Sequence, residues 1–213
     1  MNASFDTVDM TRAPSIAVSY LLALCLGCGP QDAVRPLSES SVVVAFGDSL
    51  TFGTGADPAA SYPCVLSKLL ECRVVNAGVS GEATSAGRQR LQTVLEKEKP
   101  DIVVLCHGGN DMVQKLDETA IVRNLDAMIS LSKRAGADVV LIGVPKPEYP
   151  LTMATFYREL ASKYGVPLDS DTIAEILSSS ALTSDQMHPN AAGYRKMAES
   201  IAGLIRDRQE RSN

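Results

Sequence analysis

Four short polar segments of this sequence carry the residue types that acyl-transfer chemistry needs. They are Gly47-Asp48-Ser49-Leu50, Gly78-Val79-Ser80-Gly81-Glu82, Gly108-Gly109-Asn110-Asp111, and Asp185 to Asn190. A serine hydroxyl becomes a competent nucleophile only when a base takes its proton. Histidine is the usual base because its pKa lies near working pH. The chain has two, His107 and His188. Asp185 stands three residues before His188. That carboxylate can accept from one ring nitrogen, fix the tautomer and leave the other nitrogen for Ser49. Pro189 restricts His188 to extended backbone and holds it off the following helix. His107 is the rival base, but it has no carboxylate orienter in sight beyond Asp111. A developing oxyanion needs donors already in place. The backbone amides of Ser49 and Gly81 and the side-chain amide of Asn110 can supply them. Gly81 lets the backbone approach the acyl carbon closely.

Each of these residues also has a plainer reading. Ser49 can cap a helix. Gly81 can be a turn glycine, and Asn110 and Asp185 suit turns as well. His188 can be a surface histidine. Asp48 and Asp111 can brace a site or simply the fold. What favours chemistry is the position of the four segments relative to the elements around them.

Apolar, β-branched runs precede the first three segments. The runs Val42 to Phe46, Arg73 to Asn76, Ile102 to Cys106, Asp138 to Ile142 and Val166 to Asp169 read as strands bounded by Gly and Pro. Helical spacing is found at Tyr62 to Leu70, Ser85 to Lys97, Glu118 to Arg134, Thr152 to Tyr164 and Ala191 to Asp207. Strands that alternate with helices and are apolar throughout imply a parallel sheet covered on both faces. The expected architecture is α/β: a flavodoxin-like three-layer α/β/α sandwich with a five-stranded parallel sheet of order 2-1-3-4-5. Ligands of such sheets bind at the carboxyl ends of the strands, near the switch between strands 1 and 3. All four polar segments fall on that edge.

The four blocks, taken in order at these spacings, resemble the SGNH (GDSL-type) hydrolase superfamily over about residues 42 to 207. They are similar to its bacterial arylesterase and TesA-type branch, that of acyl-CoA thioesterase I and lysophospholipase. The resemblance implies Ser49 as nucleophile, Gly81 and Asn110 as oxyanion donors, and Asp185 and His188 as the rest of a triad. It implies a small-molecule acyl ester or thioester substrate, no metal and no organic cofactor. Sugar or cell-envelope O-deacetylation is an alternative chemistry on the same triad. A non-catalytic flavodoxin-like domain is the alternative of another class. It has Thr51, Phe52 and Thr54 after strand 1, but the chain lacks Trp for an aromatic wall. The Gly-x-Ser-x-Gly elbow is absent around Ser49, against an α/β-hydrolase fold. No dinucleotide fingerprint or phosphate loop is present.

Composition narrows the partners. The net charge is −5 and aromatic residues make up 5% of the chain, which disfavours nucleic acid both electrostatically and by stacking. Ile16 to Gly27 is an apolar run too short to span a bilayer and suited to an export signal over residues 1–28. Met10 offers a tidier start than Met1, with Arg12 as the basic residue. Leu26-Gly27-Cys28 resembles the end of a lipoprotein signal, with Cys25 where an aliphatic residue usually stands. Cys28 is therefore a candidate membrane tether for a periplasmic or lipid-anchored protein. Residues 29–41 read as a linker and 209–213 as a tail, around a domain of residues 42–208. Acyl-pocket walls are expected from Val144 to Tyr149 and from the loop Gly53 to Ser61. Cys64 and Cys72 can bridge if the compartment is oxidising.

Overall fold

The computed structural model of the 213-residue chain describes residues 1–2 and 34–210. The reading of residues 1–28 as an export signal falls, from residue 3 onward and with Cys25 and Cys28, outside the described residues, as do residues 29–33 and 211–213.

Five strands form one parallel sheet in the order β2-β1-β3-β4-β5. They are β1 (Val42–Gly47), β2 (Arg73–Gly78), β3 (Ile102–Cys106), β4 (Asp138–Ile142) and β5 (Leu168–Asp169). Strand β3 is buried along its whole length, as are Val43 to Phe46 of β1. Full burial explains why these runs are apolar at every position rather than at alternate ones. Each large side chain placed there contributes about 1.5–3 kcal/mol.

The helices form two layers over the sheet. On one side α2 (Tyr62–Leu70) packs on α8 (Ala191–Glu210), with α7 (Thr172–Leu177) beside α8. On the other α3 (Thr84–Glu98) packs on α5 (Glu118–Arg134), and α5 meets α6 (Thr155–Tyr164). Two further short helices, α1 (Ser49–Phe52) and α4 (Gly109–Val113), begin at the carboxyl ends of β1 and β3. They were not legible in the sequence because four or five residues cannot establish a helical period. Strand β2 runs two residues beyond the expected stop, with Gly78 paired to Gly47. Helix α6 starts at Thr155 rather than Thr152, because Thr152 is held by a hydrogen bond from the Lys146 amide to its carbonyl.

The segment before β1 is docked on the amino edge of the sheet. Val34 is buried. The Arg35 guanidinium pairs with Asp138 at 2.9 Å and lies 3.6 Å from Asp101. Helix α8 holds the same segment, since Gln209 donates to the Arg35 carbonyl at 2.8 Å. The described part of the expected linker is thus packed against the domain.

One glycine controls how closely the strand ends approach. A Cβ on Gly47 would lie 2.0 Å from the Cys106 carbonyl oxygen and 2.3 Å from Thr51 Oγ1. The first of these is backbone in the central strand and cannot move aside. Gly47→Ala is expected to lower unfolding stability by about 3 kcal/mol, at the top of the usual overpacking range. Urea denaturation measures it, and a loss below about 0.5 kcal/mol would contradict the packing described.

Candidate functional site

The carboxyl edge of the sheet gathers the four segments. At the end of β1, Asp48 caps α1 by accepting from the Leu50 amide at 3.1 Å. Because Asp48 takes the capping role, the Ser49 hydroxyl is free for other partners. Ser49 heads the helix, where its backbone amide has no intrahelical acceptor. Burial pushes the Asp48 carboxyl up, against the favourable influence of His107 and of the Leu50 amide.

His188 reaches Ser49 from 139 residues away. Its Nε2 lies 3.1 Å from Ser49 Oγ. Its Nδ1 lies 2.8 Å from one Asp185 oxygen and 3.0 Å from the other. Asp185 also accepts from the amides of Met187 at 2.8 Å and His188 at 2.9 Å. The Met187 amide first, and His188 after it, hold the Asp185 carboxyl below the usual carboxylate range. An ionised Asp185 fixes the proton of His188 on Nδ1 and leaves Nε2 as acceptor. The backbone of this segment is pinned as well: Ser184 donates its amide to the His188 carbonyl, and Asn190 caps α8 through Ala192 and Gly193.

Gly81 has φ +77°, a conformation that a side chain disfavours, although a Cβ there would meet nothing within 4 Å. Glycine is required there by the turn rather than by crowding. Asn110 gives one amide hydrogen of Nδ2 to the Glu82 carbonyl at 3.1 Å, which leaves the second for a ligand. Ser49, Gly81, Asn110 and His188 all line one cavity of about 270 Å³. Its apolar side is built from Val113, Val144, Pro145, Leu151, Leu177 and Met187. The expected wall at Val144 to Tyr149 is thus present through Pro147, whereas no residue of the loop Gly53 to Ser61 lines the cavity. That loop packs instead toward α8: the Tyr194 hydroxyl donates to the Thr54 carbonyl, and Gly55 faces Ser184 and Pro189.

His107 does not reach Ser49's partner set. It is fully buried, its Nδ1 accepts from the Gly108 amide at 3.1 Å, and its Nε2 faces Glu82 at 3.2 Å. Asp111 accepts from both the amide and the hydroxyl of Thr84, tying α4 to the start of α3. Glu82 is a site residue to which the sequence alone assigns no role. Burial opposes its ionisation, but hydrogen bonds from His107 and Arg90 outweigh that and lower its carboxyl to about 2. A spacing of 25 residues from His107 and eight from Arg90 offered no periodic signal for this cluster. Cys64, Cys72 and Cys106 are free thiols. Among the described residues no His/Cys/Asp/Glu group is arranged to hold a metal ion, and no helix is long and apolar enough to cross a membrane.

A doubly wound sheet with a serine–histidine–carboxylate chain at its carboxyl edge belongs to a recognised class. The chain is a member of the GDSL-like lipase/acylhydrolase family, whose model matches residues 45–196, and is thus an SGNH-type hydrolase. Esterase TesA of Pseudomonas aeruginosa is 26% identical over 84% of this chain and 94% of its own length. An arylesterase of Vibrio mimicus is 28% identical over 87% of this chain and 94% of its own. A crystal structure of TesA superposes with a TM-score of 0.71 at 25% identity, covering 79% of this chain and 99% of that one.

Proposed function

We propose that this protein cleaves small-molecule acyl esters or thioesters through an acyl-enzyme intermediate on Ser49. The observation that carries the reading is the continuous relay from Ser49 Oγ to His188 Nε2 at 3.1 Å and from Nδ1 to Asp185 at 2.8 Å, opening on a largely apolar cavity. Ser49 attacks the acyl carbonyl carbon as His188 Nε2 takes its proton. The oxyanion is met by the amides of Ser49 and Gly81 and by the Asn110 side chain. His188 then protonates the leaving alcohol or thiol. Water, deprotonated by the same nitrogen, attacks the acyl-serine; as the acid is released, His188 Nε2 returns that proton to Ser49 Oγ. Asp185 stabilises the imidazolium formed in each half-reaction.

A volume of about 270 Å³ lies just under the usual small-molecule range of roughly 300–1,000 Å³, which suits a short or medium acyl chain. Hydrolysis of p-nitrophenyl esters of increasing chain length tests this. The expected profile peaks at short or medium chains and depends on Ser49. A rate that rises steadily through long chains would contradict the assigned pocket, and no hydrolysis of any ester by folded protein would contradict the activity. On the sequence alone, we further propose that residues 1–28 direct export, either as a plain cleaved signal or as a lipoprotein signal with lipid attachment at Cys28.

A further inference from the structure

Behind the cavity, one acidic side chain ties together the strand ends that carry the proposed catalytic groups. Glu82 receives Arg90 Nε at 2.7 Å and Arg90 Nη2 at 2.7 Å, and faces His107 Nε2 at 3.2 Å. Arg90 also donates to the carbonyls of Gly47 at 3.2 Å and Ala77 at 2.8 Å, at the ends of β1 and β2. Its guanidinium carbon lies 4.0 Å from the centroid of the Phe46 ring, a cation–π contact with a side chain of β1. His107 continues the connection into the Gly108 turn after β3. The Glu82 carbonyl, in turn, accepts from Asn110. Space for the cluster is reserved at Gly87, where a Cβ would lie 2.3 Å from His107 Nε2 and 3.2 Å from Glu82 Oε2.

We propose that Glu82 is the positioning residue of the oxyanion hole. Its carboxylate fixes the turn that presents the Gly81 amide, and its carbonyl aims the Asn110 side chain. The inference rests on reading Gly81 and Asn110 as oxyanion donors. Glu82 itself does not line the cavity. It acts by preorganisation: donors fixed before charge develops spend nothing on reorganisation when it does. Charge-assisted hydrogen bonds shielded from solvent are strong enough to hold such a turn. A displacement of about 1 Å in a donor is enough to cost turnover on the order of 10²-fold.

The test is steady-state hydrolysis of a short-chain p-nitrophenyl ester by Glu82→Gln, Asn110→Ala and the double variant. Glu82→Gln should lower kcat by about 10–100-fold with KM within about twofold, since the loss falls on the transition state. In the Asn110→Ala background the same change should cost less than it does in the parent, because the share that acts through Asn110 is already lost and only the share that acts through the Gly81 amide remains. Gly87→Ala, which displaces His107 from Glu82, should give the same kcat-selective loss and serves if Glu82→Gln does not fold. Folded variants with unchanged kcat and only a lowered Tm overturn the proposal. So does a full, multiplicative loss on top of Asn110→Ala. A silent Asn110→Ala overturns the donor assignment and this inference together, whereas a costly Asn110→Ala beside a silent Glu82→Gln overturns the inference alone.

Discussion

Ser49→Ala should lower kcat for ester cleavage by roughly 10⁶-fold and leave a residual rate on the order of 10³–10⁴ above water. The residue sits 3.1 Å from His188 Nε2 and no other hydroxyl in the cavity is so placed: Ser80, the other serine lining it, pairs with Thr54 instead. Removing Oγ costs little stability, because Asp48 rather than Ser49 caps α1. His188→Ala should fall to a similar floor, and the double variant to no lower one, since nucleophile and base act as a unit. Rates of the single and double variants, with circular dichroism to verify folding, check this. Retention of more than about a hundredth of the activity by folded Ser49→Ala would contradict the assignment.

Asp185→Asn carries the second largest expected effect, about 10⁴-fold in kcat. The reason lies in the hydrogen-bond pattern around the carboxylate. Both its oxygens accept from His188 Nδ1, and one also accepts from the amides of Met187 and His188. All of these partners are donors. An asparagine must either turn its NH₂ toward a backbone N–H or turn it toward His188 Nδ1. The second choice forces the ring proton onto Nε2, where it can no longer accept from Ser49. The tautomer is set by the carboxylate, not by burial, for the Asp185 side chain is 54% exposed. A steady-state comparison at neutral pH checks the effect, and a loss below about tenfold would mean that orientation by the pinned backbone suffices.

Much of this site was legible in the sequence because acyl transfer requires particular atoms at particular places. Ser49, Gly81, Asn110, Asp185 and His188 each follow a strand or a turn that delivers them to one edge; Ser49, Gly81, Asn110 and His188 line a single cavity, and Asp185 stands behind His188. The sheet order was legible for a related reason: strands buried on both faces must be apolar at every position, and that pattern survives in Val42 to Phe46 and Ile102 to Cys106. The sequence places the start of strand β5 at Val166. It starts at Leu168, because Pro167 has no amide to give and joins the ladder only by accepting from Leu141. What was not legible depends on contacts between distant residues that no period links. The Glu82–Arg90–His107 cluster is of that kind. So is the cavity wall, which draws on Val113, Leu151 and Leu177 from three separate segments rather than on the loop after β1.

The most direct test of the central claim is covalent trapping. The protein is treated with a p-nitrophenyl alkylphosphonate, whose phosphorus accepts the serine oxygen, releases p-nitrophenol and leaves a stable tetrahedral adduct. Intact mass and peptide mapping then locate it. The account predicts one adduct per chain, on Ser49, in step with loss of activity, and greatly slowed labelling in His188→Ala. Complete inactivation with Ser49 unmodified, or an adduct on another residue that accounts for the lost activity, would contradict it.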